Sequence, residues 1–214
     1  MKYPDNPIAL VVDDDPMVRR SLESLLKSVG LGVKTFDSAQ KFLETERPQG
    51  PSCLILDVRM PGLSGPMLQE RLLADQVPLP IIFITGYGTI PMSVRAMKAG
   101  AVDFLQKPFN DQELLDAVSK AIERDRERRR EKKEMIDIQK RFNSLTLRER
   151  DVFALVITGM LNKQVASQLG MSANTVKVHR ARVMQKMHAE SLADLLRLAT
   201  KLRPYTPKVL SPSD

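Results

Sequence analysis

Short apolar runs punctuate the first half of the chain. Ile8-Ala9-Leu10-Val11-Val12, Cys53-Leu54-Ile55-Leu56 and Ile81-Ile82-Phe83-Ile84 contain no charged residue. Continuous runs of this length read as strands buried on both faces of a parallel sheet. With weaker candidates they give five strands, at 8–12, 32–36, 53–57, 81–85 and 103–107. The pattern between them predicts helices over 16–29, 38–46, 65–75, 90–99 and 111–122. Gly30 and Gly100 stand where helices end. Five βα repeats predict a parallel sheet wrapped by helices on both faces.

The pattern then changes. Residues 123–134 are all charged, seven basic and five acidic, and no apolar stripe crosses them. Good helix formers with opposite charges at helical spacing predict a solvated helix or spacer extending the fifth helix. A coiled-coil seam would need apolar a and d positions, which are absent. From Phe142 onward the chain reads as helical only. Thr146-Leu147-Arg148-Glu149 has the form of a capping box and opens a helix that Gly159 stops. A second helix runs from Asn162 to Leu169, a third from the Ser172 cap to about Met187, and a fourth from the Ser191 cap to about Lys201. The last residues, 204–214, read as irregular.

Charge separates the two halves. Residues 1–122 carry 13 basic and 15 acidic groups, while 142–214 carry 11 and 5. A basic back half points to nucleic acid. The single cysteine, Cys53, lies inside a predicted strand and cannot form an intramolecular disulfide. No apolar stretch approaches the ~18 residues of a membrane helix. The first seven residues lack a signal-peptide pattern. A cytoplasmic protein with no membrane partner is expected.

Polar groups end the strand candidates. Asp13-Asp14, Asp57, Thr85 and Lys107 each follow an apolar run. In an open α/β sheet, chemistry collects at the carboxyl ends of the strands. Three carboxylates, a hydroxyl and an amine are therefore expected to converge. A carboxylate nucleophile attacking an anionic phosphoryl group needs a hard divalent cation, and oxygen ligands hold such a cation. Asp13 and Asp14 suit that role, with Asp57 as nucleophile and ligand and the Arg59 backbone carbonyl as a further ligand. Lys107 can pair with phosphoryl oxygens as a point charge. Thr85 can donate a hydrogen bond to the new group. Asp15 before Pro16 reads simply as a helix N-cap.

These stretches, Val11-Val12-Asp13-Asp14-Asp15, Leu56-Asp57-Val58-Arg59-Met60-Pro61-Gly62, Phe83-Ile84-Thr85-Gly86 and Lys107-Pro108-Phe109, resemble a response-regulator receiver domain over residues 8–122. The resemblance implies a flavodoxin-like fold with strand order 2-1-3-4-5. It implies Mg²⁺-dependent transfer from a sensor histidine kinase to Asp57, and a cis Lys107-Pro108 bond. It makes Thr85 and Phe104 the switch, with Phe104 signalling by ring burial because it lacks the hydroxyl of the commoner tyrosine. It also makes Arg59 and Tyr87 the residues that tune hydrolysis. Both are large, so a phosphoryl group persisting for minutes or longer is expected.

In the back half, helix, glycine turn and helix over 162–187 form a helix-turn-helix pattern. At 100° per residue, Val176, Val183, Met184 and Met187 fall inward, and Lys177, Val178, Ala181, Arg182 and Gln185 outward. An outward valine suits a thymine methyl in a major groove. Lys163, Arg180, Arg182 and Lys186 can meet phosphates. His179 and His188, nine apart and without cysteine partners, are poor zinc ligands. Residues 145–201 resemble the LuxR/FixJ-type DNA-binding domain through Leu145-Thr146, Arg148-Glu149, Gly159, Asn162-Lys163, Ala166, Leu169, Thr175-Val176-Lys177 and His179. That resemblance implies a small all-α four-helix domain whose third helix reads double-stranded promoter DNA. Lys163, Asn174, Thr175, Lys177, Val178, His179, Ala181 and Arg182 are its expected contacts.

Together these readings describe a FixJ-like regulator in four parts. They are a receiver (1–122), a charged helical linker (123–141), a LuxR-type helix-turn-helix domain (142–203) and a tail (204–214). Phosphorylation of Asp57 is expected to drive homodimerisation through a face carrying Val94 and Lys98, and RNA polymerase is an expected partner. No enzymatic activity is expected beyond self-phosphorylation and autodephosphorylation at Asp57. One alternative is a constitutive DNA-binding regulator with a structural receiver. Another is a metal-dependent phosphatase, which would leave 145–201 unexplained.

Overall fold

The computed structural model describes residues 6–86 and 89–202. The expected tail at 204–214 and the tuning position Tyr87 lie outside the described residues. The chain forms two compact units, residues 1–129 and 130–214.

In the first unit the strands are β1 (Ile8–Val12), β2 (Gly32–Phe36), β3 (Ser52–Asp57), β4 (Ile81–Thr85) and β5 (Asp103–Gln106). They form one parallel sheet in the order β2-β1-β3-β4-β5. The helices are α1 (Pro16–Ser28), α2 (Ala39–Glu44), α3 (Gly65–Ala74), α4 (Ile90–Lys98) and α5 (Asp111–Asn143). This is the flavodoxin-like architecture that the strand pattern and the resemblance imply.

The apolar runs fall where both sheet faces are covered. Ala9, Val11, Cys53, Ile55, Ile82 and Ile84 pack with Leu22 and Leu26 of α1 and with Leu114, Val118 and Ala121 of α5. Leu10, Val12, Leu54, Leu56, Ile81 and Phe83 pack on the other face with Phe42, Leu68, Leu72 and Ala96. Alternation along each strand sends successive side chains to opposite layers. Asp15 caps α1, accepting from the Met17 amide at 2.7 Å, with Pro16 as the first helical residue.

Helix α5 runs unbroken through the charged segment to Asn143. The expectation that 123–134 contributes nothing to a core fails at Asp125, which is fully buried. It continues the inward stripe Leu114, Val118 and Ala121. Its carboxylate accepts from the Ser52 amide at 2.9 Å and from Arg129 Nε at 2.6 Å, and pairs with Arg128. Arg129 also donates to the Gln49 carbonyl at 2.7 Å. A buried amide that loses its acceptor carries its full desolvation cost. Asp125→Ala is therefore expected to destabilise the first unit by about 2 kcal/mol. Urea unfolding of the intact chain measures this, and an unchanged midpoint would contradict the clamp.

The second unit is helical among the described residues. It contains the end of α5, α6 (Leu147–Val156), α7 (Asn162–Leu169), α8 (Ala173–Met187) and α9 (Leu192–Leu202). Its core gathers Ile138, Val152, Phe153, Val156, Val165, Val176, Val183, Met187, Leu195 and Leu198. The Thr146/Glu149 capping box forms as expected, and Gly170 closes α7 with φ of 63°. That left-handed conformation favours glycine.

Candidate phosphoryl site and nucleic-acid interface

The parallel register carries the ends of β1, β3 and β4 to one edge of the sheet. Val12 lies opposite Leu56, and Asp57 opposite Ile84. Asp13, Asp57 and Thr85 are therefore neighbours, and all three are buried. The Lys107 amide donates to the Thr85 carbonyl at 2.7 Å, which fixes the lysine beside them. The Lys107-Pro108 bond is cis, as expected.

Lys107 is the centre of the site. Its ammonium lies 2.7 Å from Asp13 Oδ2 and 3.0 Å from Asp57 Oδ1. The Arg59 amide donates to Asp57 Oδ2 at 2.8 Å, and the Asp15 amide to Asp13 Oδ1 at 2.9 Å. Burial pushes the Asp57 carboxyl above its ordinary range, and Lys107 offsets this only in part. Burial pulls the Lys107 ammonium down, but hydrogen bonds to two carboxylates outweigh it and the net shift is upward. Both shifts are consistent because one ammonium is shared by two acids.

The structure brings Asp13, Asp57, Thr85 and Lys107 together. Asp14 lies next in the chain but is exposed. Among the described residues no group of three or more His, Cys, Asp or Glu is gathered to hold a metal. The donor set at the edge is all oxygen, which suits a hard divalent cation. Arg19 donates from Nη1 to the carbonyls of Asp13 at 2.7 Å and Asp14 at 2.9 Å, bracing the acidic turn. Phe104 is half-buried, with its ring centroid 6.2 Å from that of Phe83. On α4, Val94 and Lys98 are both exposed, with Ile90 and Met97 beside them.

Two residues around this site escape sequence reasoning. A Cβ added to Gly65 would sit 2.3 Å from the Asp57 carbonyl oxygen and 3.1 Å from the Phe83 ring. Only glycine lets α3 start this close to the acceptor. The Gln69 amide donates to the Ala96 and Ala99 carbonyls, both at 3.3 Å, and so caps the end of α4. The glycine's place a few residues after Asp57 is a faint signal for the first. Nothing local marks the second.

In the second unit, α8 buries Val176, Val183 and Met187. Asn174, Thr175, Lys177, Val178, Ala181 and Arg182 are exposed on α8, and Lys163 on α7. His179 is half-buried, and its Nδ1 is buried without a hydrogen-bond partner. Ser172 Oγ accepts from the Thr175 amide at 3.0 Å and lies 2.8 Å from the Thr175 hydroxyl. Two cations expected to meet phosphate are engaged inside the unit. Arg180 donates to Asn162 Oδ1 at 3.1 Å, and Lys186 pairs with buried Glu149 at 2.6 Å.

Burial pushes the Glu149 carboxyl up, but Lys186 and the Thr146 amide outweigh it, so it lies below its usual 4.5. A depressed carboxyl stabilises the fold above its unfolded value and loses that contribution as pH falls through the folded one. As pH falls below about 4.5, the α6 and α8 amides should lose hydrogen-exchange protection faster in wild type than in Glu149→Gln. Parallel profiles would contradict this.

Comparison with known proteins agrees with both halves. The family described as "Response regulator receiver domain" matches residues 9–119, and "Bacterial regulatory proteins, luxR family" matches 143–199. Nodulation protein W of Bradyrhizobium diazoefficiens is 54% identical over 195 residues, covering 91% of this chain and 86% of that protein. Transcriptional regulatory protein FixJ of the same organism is 45% identical over 191 residues, covering 89% and 93%. Among solved structures, the response regulator StyR aligns with TM-score 0.83 at 50% identity, covering 92% of this chain and 99% of that one.

Proposed function

This chain belongs to the response regulators that join a receiver domain to a LuxR-type DNA-binding domain, and on that premise we propose residue roles for its phosphorylation switch. It is a phosphorylation-dependent transcriptional regulator of a two-component system and not a classical enzyme. The receiver is taken as 1–122, the linker as 123–141 and the DNA-binding domain as 142–203. The observation that carries the reading is the Lys107 ammonium held between Asp13 and Asp57.

An Asp57 oxygen attacks the phosphorus of a sensor kinase phosphohistidine. The P–N bond breaks, and its electron pair leaves with the imidazole, which takes up a proton. A Mg²⁺ ion held by Asp13, Asp14, Asp57 and the Arg59 carbonyl would offset the negative charge of the incoming group. Lys107 then pairs with a phosphoryl oxygen, Thr85 donates to another, and Phe104 turns inward behind it. Self-phosphorylation from a small donor and autodephosphorylation use the same residues. Val94 and Lys98 lie on the face that pairs two copies.

Dimerisation places two α8 helices on paired half-sites, so the second contact becomes intramolecular. Lys177, Val178 and Ala181 face bases. Lys163, Asn174, Thr175, His179 and Arg182 face the backbone. RNA polymerase is the downstream partner and the cytoplasm the compartment; no helix among the described residues is long and apolar enough to cross a membrane. Lys177→Ala tests the interface. It should weaken binding to a duplex selected by the wild-type chain by about 1–3 kcal/mol and relax base preference at one position per half-site. Unchanged affinity and preference in a competition assay would remove α8 from the interface.

A further inference from the structure

Lys186 is anchored inward, against the buried Glu149 of α6. Helix α8 holds four Lys or Arg residues, at 177, 180, 182 and 186. Lys186, in its last turn, donates to Glu149 Oε2 at 2.6 Å and to the Ser144 carbonyl at 3.1 Å. Glu149 is only 2% exposed, and the same oxygen accepts from the Thr146 amide at 2.8 Å. One carboxylate thus closes the α6 cap and grips the end of α8. Nearby, Arg141 donates to the Met187 carbonyl at 3.4 Å.

We propose that Glu149 and Lys186 are a positioning pair for DNA reading, which sets the recognition helix against α6, and that Lys186 makes no phosphate contact. The proposal rests on the reading that α8 enters DNA. A buried carboxylate that loses its cation is costly, so Lys186 has little freedom to leave it. A small tilt of α8 displaces every base-facing side chain at once, whereas loose phosphate contacts tolerate it. The pair therefore contributes to discrimination between sequences, not to general attraction.

Salt dependence separates the two roles, because each phosphate contact contributes about 0.9 to the slope of log affinity against log salt. The full chain is titrated, with a phosphodonor and Mg²⁺, against a duplex it has itself selected from a random library and against a scrambled duplex. Arg182→Met removes one contact from each of the two α8 helices of the dimer and should lower the slope by about 1.8. Lys186→Met and Glu149→Gln should each leave the slope unchanged and weaken the selected duplex about tenfold. Neither should change binding to the scrambled duplex, and the double variant should lose no more than either single one.

A slope lowered by about 1.8 in Lys186→Met would make it a phosphate contact in both half-sites and overturn the proposal. Equal weakening on both duplexes would reduce the pair to fold stability and also overturn it. If Arg182→Met leaves the slope unchanged, the α8 reading itself fails, and the pair proposal fails with it.

Discussion

Asp57→Ala is expected to abolish phosphoryl incorporation and everything that depends on it. Asp57 is the one buried carboxylate at the end of β3, and its Oδ2 is already oriented by the Arg59 amide. Intact mass after incubation with Mg²⁺ and a small phosphodonor should show one added phosphoryl group in wild type and none in the variant. The gain in DNA affinity from coupling two half-sites, about 10²-fold or more, should vanish with it. A phosphoryl group on the variant that is lost in alkali and to hydroxylamine would mean that another carboxylate is the acceptor.

Lys107→Met should act in two directions. Its ammonium is shared by two carboxylates that together repel when it is gone. A divalent cation approaching the wild-type site meets that positive charge within a few ångströms. Removing it should raise Mg²⁺ affinity by about tenfold or more at pH 8. The same change removes the point charge that would hold the phosphoryl oxygen, so donor-driven dimerisation should be lost. Calorimetric titration reads the first effect and sedimentation the second. Unchanged or weaker Mg²⁺ binding would show that the lysine does not compete for the site.

Much of this site was legible because the parallel strands are buried on both faces. Their apolar runs end sharply, and the residues that follow, Asp13, Asp57, Thr85 and Lys107, are brought together by sheet register alone. The inward and outward faces of α8 were legible for a similar reason, since one helical period sorts Val176 from Lys177. What stayed hidden depends on approach between distant segments. Gly65 matters because α3 starts against the Asp57 carbonyl, and Gln69 because the end of α4 lies within reach. Asp125 hid in a run where every neighbour is charged, although it continues the inward spacing of Leu114, Val118 and Ala121. Lys186 resembled its exposed neighbours, and only the fold reveals that it faces buried Glu149. Asp14 was expected beside Asp13 and Asp57; it follows Asp13 in the chain and is exposed.

The most direct test of the switch is solution mass and duplex-DNA affinity measured together, with Mg²⁺ and acetyl phosphate, for wild type and Asp57→Ala. The account predicts that wild type alone doubles its mass and binds DNA more tightly when the donor is added. Equal binding and unchanged mass in both proteins would contradict it and leave a constitutive DNA-binding regulator with a structural receiver.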